Sequence, residues 1–226
     1  MDALIFDFDG VVVDSEPIHL ACFRAVLSRA GVDLRTEDYY SKYLGFDDHD
    51  CFVAALRDHG KPYTEPQIAQ MVRDKTAMVK EAYGRAVQAL PGVVELIRAA
   101  AAARVPLAVC SGALHEEIEL AARTMGVLDC FGVVVAATDV HHGKPDPEGY
   151  RLTLDRLGRK TGRKLAAAAC VVVEDSPAGI EAAKAAGMKV LAVTNSYAPD
   201  ALMQANRIVA SLADITLPDL RIFCDE

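Results

Sequence analysis

The stretch Leu4-Ile5-Phe6-Asp7-Phe8-Asp9-Gly10-Val11-Val12-Val13-Asp14-Ser15 decides how the chain is read. An apolar, β-branched run without helical period reads as a buried strand, and this one ends in two carboxylates separated by a single residue. Bare carboxylates are too costly to bury unless something pairs with them. Side chains alternate along an extended chain, so Asp7 and Asp9 share one direction if the pleat continues to the strand's edge. Gly10 then lets the backbone turn sharply. Asp9-Gly10 also fits an ordinary hairpin turn, but that reading leaves Asp7 buried without a purpose.

The rest of the chain has the composition to surround such a strand. It has 226 residues, 52% of them hydrophobic, enough for one large domain or a core with a smaller insert. A net charge of -8 and a pI near 5.3 argue against nucleic acid as a partner, because phosphate backbones select basic surfaces. The N-terminus enters the first strand without a basic region and a long apolar segment, so neither a signal peptide nor a membrane span is expected. Cys22, Cys51, Cys110, Cys130, Cys170 and Cys224 are scattered, with no CxxC pair and no metal-ligand spacing. That pattern suits reduced core thiols and a cytoplasmic location.

Past Ser15, a helix is expected from Pro17 to Ala30, with Ser15 or Glu16 as cap, Pro17 at the first helical position and Gly31 at its end. From Thr36 to Gln88 the composition is helical, with breaks at Gly45, Gly60-Lys61-Pro62 and Gly84. After Leu90-Pro91-Gly92, helices and strands alternate. Val93–Ala103 reads as helix, Pro106–Cys110 as strand, Leu114–Met125 as helix and Phe131–Ala136 as strand. Asp146 is placed to cap a helix with Pro147 at its first position and Gly158 at its end. Cys170–Val173 is a strand, Pro177–Ala186 a helix stopped by Gly187, and Lys189–Val193 a strand. The pattern predicts an α/β fold: a doubly wound parallel sheet over 1–15 and 91–226, with an inserted helical unit over 16–90.

Such a sheet binds ligands beyond the carboxyl ends of its strands. Those ends bring Asp7 and Asp9, Ser111-Gly112, Gly143-Lys144-Pro145 and Glu174-Asp175-Ser176-Pro177 to one crevice. Four carboxylates there, Asp7, Asp9, Glu174 and Asp175, repel one another unless a hard cation with oxygen ligands sits among them, and Mg²⁺ fits that role. Ser111, the adjacent helix N-terminal N–H groups and Lys144 are the parts needed to hold a phosphoryl group. Singly, each piece has an ordinary reading: a strand-to-helix turn, a loop lysine, a well-charged helix cap. Together they point to phosphoryl transfer.

The motifs DFDGVVVDS at 7–15, CSGA at 110–113, GKPDPEGY at 143–150 and VVVEDSPAGIEAAKAAGM at 171–188 stand in family order and spacing. With them the chain resembles the haloacid dehalogenase-like hydrolase superfamily, in the branch with a helical cap after the first strand that includes phosphoglycolate phosphatases and β-phosphoglucomutases. The resemblance implies that Asp7 is the nucleophile and Asp9 the general acid/base. It assigns Ser111 and Lys144 to the phosphoryl group, and Glu174 and Asp175 to the metal. It further implies a small phosphorylated metabolite as substrate and a monomer or weak homodimer.

Departures from the relatives choose among activities. An acid at position 9 favours phosphate esters over the dehalogenase and phosphonate-cleaving relatives, which lack it. The cap stretch Tyr43-Leu44-Gly45-Phe46-Asp47-Asp48-His49 lacks the arginine with which the mutases grip a second phosphate, and Asp48 repels a dianion. A hydrolase is therefore expected before a mutase or a silent phosphate-binding protein. Gly112 and the cap residues His19, His49 and Lys75 are the candidate substrate contacts. The two histidines read equally as exposed helix or loop residues, and Lys75 as part of a solvated helix face.

Overall fold

The computed structural model describes residues 1–225, which divide into two compact units, one of 1–14 and 87–225 and the other of Ser15–Ala86. Among the described residues the strands are β1 (Ala3–Phe6), β2 (Leu107–Cys110), β3 (Val133–Val135), β4 (Cys170–Glu174), β5 (Lys189–Val193) and β6 (Arg207–Val209). The helices, in chain order, are α1 (Glu16–Arg29), α2 (Thr36–Asp38), α3 (Asp48–Asp58), α4 (Glu65–Ala86), α5 (Val93–Ala102), α6 (His115–Thr124), α7 (Glu148–Thr161), α8 (Pro177–Ala185) and α9 (Leu217–Asp225).

In the first unit the strands form one sheet, ordered β3-β2-β1-β4-β5-β6 with every neighbouring pair parallel. Every residue of β1, β2 and β4 is buried, which is why these segments, up to Glu174 at the end of β4, read as apolar runs without alternation. Ile5, Cys110, Val172 and Val190 turn one face of the sheet to Tyr150 and Leu157 of α7 and Ile180 of α8. Elsewhere α5 and α9 pack on each other, α5 against β2 and α9 against β4. Each Val, Leu, Ile or Phe withdrawn from water in this way contributes about 1.5–3 kcal/mol. The strand order reverses direction between β1 and β4, so the sheet opens a crevice at their carboxyl ends.

The second unit is helical throughout, as expected. Here α1 and α3 pack on α4, around a core that includes Phe23, Leu27, Phe52 and Ile68. The Phe23 and Phe52 rings meet edge to face at 5.0 Å. Asp47 caps α3 by accepting from the Asp50 amide at 2.8 Å, an interaction worth about 1 kcal/mol.

Several expected boundaries move. Gly84 does not break its helix: α4 runs to Ala86, because its buried stripe of Ile68, Lys75, Val79 and Tyr83 extends to the residue before it. Nor does Gly158 end a helix. α7 continues to Thr161 and is capped by Gly162 in the left-handed region, at φ 67°. Gly158 serves the returning chain instead, since an added Cβ would lie 3.1 Å from the Arg163 carbonyl oxygen. The same helix starts one residue late, at Glu148, whose amide donates to Asp146 Oδ1 at 2.8 Å. Phe131 closes a 3₁₀ turn ahead of β3 rather than lying in the strand, and β6 and α9 lie beyond the elements read from the sequence. Among the described residues no helix is long and apolar enough to cross a membrane.

Candidate active site

Phe6 stands opposite both Val109 and Val173, so Asp7, Ser111 and Glu174 all emerge at the same sheet edge. The strand itself stops at Phe6, and the Asp7 amide donates to the Val173 carbonyl at 2.9 Å. Residues 8–13 then curl into a tight loop in which the amides of Val11, Val12 and Val13 all donate to the Phe8 carbonyl. Gly10 holds the turn at φ 73°. The pleat does not continue to Asp9, which lies on this loop and not on the strand.

Lys144 joins two of the strand ends. Its Nζ donates to Asp7 Oδ1 at 2.5 Å and to Glu174 Oε1 at 2.6 Å, and it stands 5.2 Å from the ring centre of Tyr150. Glu174 is fully buried and fully engaged. Its Oε1 also accepts from the Tyr150 hydroxyl at 3.2 Å, while Oε2 accepts from the Asp175 and Ser176 amides and the Ser176 hydroxyl at 2.8, 2.9 and 3.0 Å. The Ser176 hydroxyl in turn accepts from the Gly179 amide and caps α8, whose first residue is Pro177. Asp175 accepts from the hydroxyl of Ser196.

Oxygens of Asp7, Glu174 and Asp175 lie within 4.8 Å of one another, and all three side chains are buried. The electrostatic consequences differ by residue. Burial, opposed by Lys144 and reinforced by Glu174, pushes the Asp7 carboxyl up to about 7. Burial, with Glu174 and Asp7 nearby, holds Asp175 well above the usual carboxylate range. Glu174 goes the other way: burial is outweighed by Lys144 and the two amides, so its pKa falls. Lys144 is held well above its usual value, since Asp7 and Glu174 outweigh the cost of burying it.

With all three carboxyls ionised, one ammonium leaves two negative charges uncompensated, and every donor atom in the group is a carboxylate oxygen. That donor set fits a hard divalent cation. The lone pairs of Glu174 are already occupied, so Asp7 and Asp175 are the members of the group that could ligate such an ion directly. Asp9 lies outside this group of three.

Ser111 is buried at the end of β2, and its Oγ accepts from the Ala113 amide at 3.0 Å. Gly112 is exposed, with nothing within 4 Å of where a Cβ would be, so the backbone beside Ser111 is open to a ligand. The first turn of α6 follows, with Glu117 accepting from the Leu114 amide at 3.1 Å.

In the second unit Lys75 is not on a solvated face. It is 4% exposed, with Nζ 2.6 Å from Asp48 Oδ1, 2.7 Å from His19 Nδ1 and 4.7 Å from the Phe23 ring centre. An ammonium only donates, so His19 Nδ1 accepts, and the ring proton sits on Nε2, 3.3 Å from the Tyr83 hydroxyl oxygen. His49 is apart from this network. It is exposed, bonded to Glu65 at 3.0 Å and Asp50 at 3.2 Å, and those bonds raise its pKa.

Asn195, Ser196 and Tyr150 were not foreseen. The first two follow β5, so the rule that collected the other strand ends applies to them as well. Tyr150 gave no such signal, because it lies inside a helix.

The sequence model described as haloacid dehalogenase-like hydrolase matches residues 4–193. Among curated proteins, the chain is 27% identical to a validoxylamine A 7'-phosphate phosphatase of Streptomyces hygroscopicus subsp. limoneus, over 96% of each chain. It is 31% identical to the fructose-1-phosphate phosphatase YqaB of Escherichia coli, covering 84% of this chain and 95% of the relative. Among solved structures, CbbY from Rhodobacter sphaeroides in complex with phosphate superposes with a TM-score of 0.84 at 26% identity, covering 97% of this chain and 99% of that one. With its core motifs on this sheet and a helical insert after β1, the chain belongs to the haloacid dehalogenase-like hydrolase family.

Proposed function

We infer that the chain is a Mg²⁺-dependent phosphoric monoester hydrolase acting on a small phosphorylated metabolite of the carbohydrate type. The observation that carries this reading is the buried group at the β1/β4 switch point: Asp7 held by Lys144, beside Glu174 and Asp175. The names of the relatives, phosphatases of validoxylamine A 7'-phosphate, phosphorylated carbohydrates and fructose-1-phosphate, support the substrate class.

Asp7 is the nucleophile. With one oxygen held by Lys144, the carboxylate attacks phosphorus in line; an O–P bond forms to Asp7 as the ester P–O bond breaks. Asp9 gives its proton to the leaving alkoxide, then takes one from the water that attacks the aspartyl-phosphate, releasing orthophosphate and restoring Asp7. Ser111, the open backbone at Gly112 and Lys144 hold the phosphoryl oxygens where negative charge builds up. Asp7 and Asp175 would hold a Mg²⁺ ion, which would supply the positive charge that keeps these carboxylates ionised and offsets charge on the transferring group.

Of the candidate substrate contacts in the helical unit Ser15–Ala86, His49 is exposed, whereas Lys75 is buried against Asp48 and His19. The ammonium of Lys75 is already paired with Asp48, which leaves it poorly placed to grip a second phosphate. This favours hydrolysis over mutase chemistry.

A panel of phosphorylated metabolites, assayed for orthophosphate with Mg²⁺ present, tests the reading. Release from at least one sugar monophosphate is expected, stopped by EDTA, restored by Mg²⁺ and abolished by Asp7→Asn. Isomer conversion that needs a bisphosphate activator, with no orthophosphate released, would refute it.

A further inference from the structure

We propose that Ser196, on the turn after β5, is a positioning residue: its hydroxyl sets the orientation of the Asp175 carboxylate for divalent-cation binding. The inference rests on the cation reading above and adds to it a residue outside the motifs that define the site.

The turn is built to hold this hydroxyl in place. Val193 pairs with Val209 of the edge strand β6, and the next amide, Thr194, donates to the Val209 carbonyl at 3.1 Å. Asn195 then crosses to the nucleophile loop, its Nδ2 donating to the Gly10 carbonyl at 2.7 Å. Ser196 follows and donates to Asp175 Oδ2. These contacts close a ring. A Cβ on Gly10 would overlap the Asp175 carboxylate and lie 2.6 Å from Ser196 Oγ, so the nucleophile loop, the end of β4 and the turn after β5 are packed together at this point.

The physical need is specific to Asp175. Glu174 accepts from five donors and Asp7 from Lys144, whereas an oxygen of Asp175 lies within 4.8 Å of an oxygen of each of these carboxylates, and like-charge repulsion drives its side chain to rotate away. A hydroxyl on one oxygen holds the carboxylate against that repulsion. The other oxygen is left for a cation, and groups that orient a metal ligand in this way are typically worth roughly 10–100-fold in affinity.

The test is Mg²⁺ binding to metal-free protein by isothermal titration calorimetry, with no substrate present. Ser196→Ala should weaken binding by about 10–100-fold. Ser196→Thr, which keeps the hydroxyl, should stay close to wild type, and all variants should unfold at similar temperatures. If Ser196→Ala does not fold, Ser196→Cys replaces it, a side chain of similar size whose thiol is a poor donor. Equal Mg²⁺ affinity in wild type and Ser196→Ala overturns the inference alone, as does a loss in Ser196→Thr as large as in Ser196→Ala. A wild-type protein that binds no Mg²⁺ overturns the cation reading and the inference with it.

Discussion

Replacing Gly179 by alanine should destabilise the protein, although helix propensity alone says the opposite. Gly179 is the third residue of α8, and alanine is favoured over glycine in a helix by up to about 1 kcal/mol. Here an added Cβ would fall inside the carboxylate of Glu174, overlapping its carbon and both oxygens. Glu174 is fully buried and cannot move without releasing Lys144 from one oxygen and the two amides from the other. Breaking one side of a buried ion pair costs about 3–5 kcal/mol, so the net loss should be about 2–4 kcal/mol. For a chain of this size that lowers Tm by on the order of 4–16 °C. Thermal and urea unfolding measure it directly. In a Glu174→Ala background the overlap is absent, and Gly179→Ala should cost little or become stabilising. A Gly179→Ala protein at least as stable as wild type, or one with the same loss in both backgrounds, would refute the reasoning.

The cap network predicts an asymmetry. Asp48→Ala leaves the buried Lys75 ammonium with less compensation, whereas Lys75→Met keeps the stem against Phe23 and leaves an Asp48 exposed enough to hydrate, so urea unfolding should show the larger loss for Asp48→Ala, about 2–4 against 1–2 kcal/mol. Equal losses would contradict this. At Asp139, burial raises the pKa, but the Ala136 amide, Arg156 and His115 outweigh it, and the folded-state value lies below 3.8. The stability from this group is therefore fully present above about pH 4 and is lost as pH falls through the depressed value. In urea titrations from pH 7 to 3, the gap between wild type and Asp139→Asn should narrow below about pH 4; a constant gap counts against it.

Local chemistry made much of the protein legible before any coordinates. Strands buried on both faces are apolar apart from a charged residue at an end, Glu174 in β4 and Lys189 in β5, so β1, β2, β4 and β5 could be read from composition alone. Once the alternation of strand and helix implied a parallel sheet, Asp7, Ser111, Lys144, Glu174 and Asp175 could be gathered from strand ends and following loops far apart in the chain. The edge strand β6 was harder, because it is three residues long, starts with an exposed arginine and has no long apolar run to mark it.

Tertiary structure decided whatever depends on a partner distant in sequence. Lys75 lies in a charged run, Arg73-Asp74-Lys75, that reads as a wetted face, yet its position in the stripe of α4 turns it onto Asp48 and His19, 27 and 56 residues away. Gly84 reads as a helix break and Gly158 as a helix end because glycine disfavours helix, but the penalty is only about 1 kcal/mol, and burial of the neighbouring Tyr83 and Leu157 exceeds it. Ser196 is the clearest case. A serine after a strand has no motif of its own, and its hydroxyl acquires a role only when β5 and β6 carry it to the carboxylate of Asp175, 21 residues earlier in the chain. The sequence by itself determined which residues are apolar enough to be buried and which strand ends carry charge. Which buried charges are paired, and by what, was decided only by the fold, because a hydrogen bond depends on distance in space and not on separation along the chain.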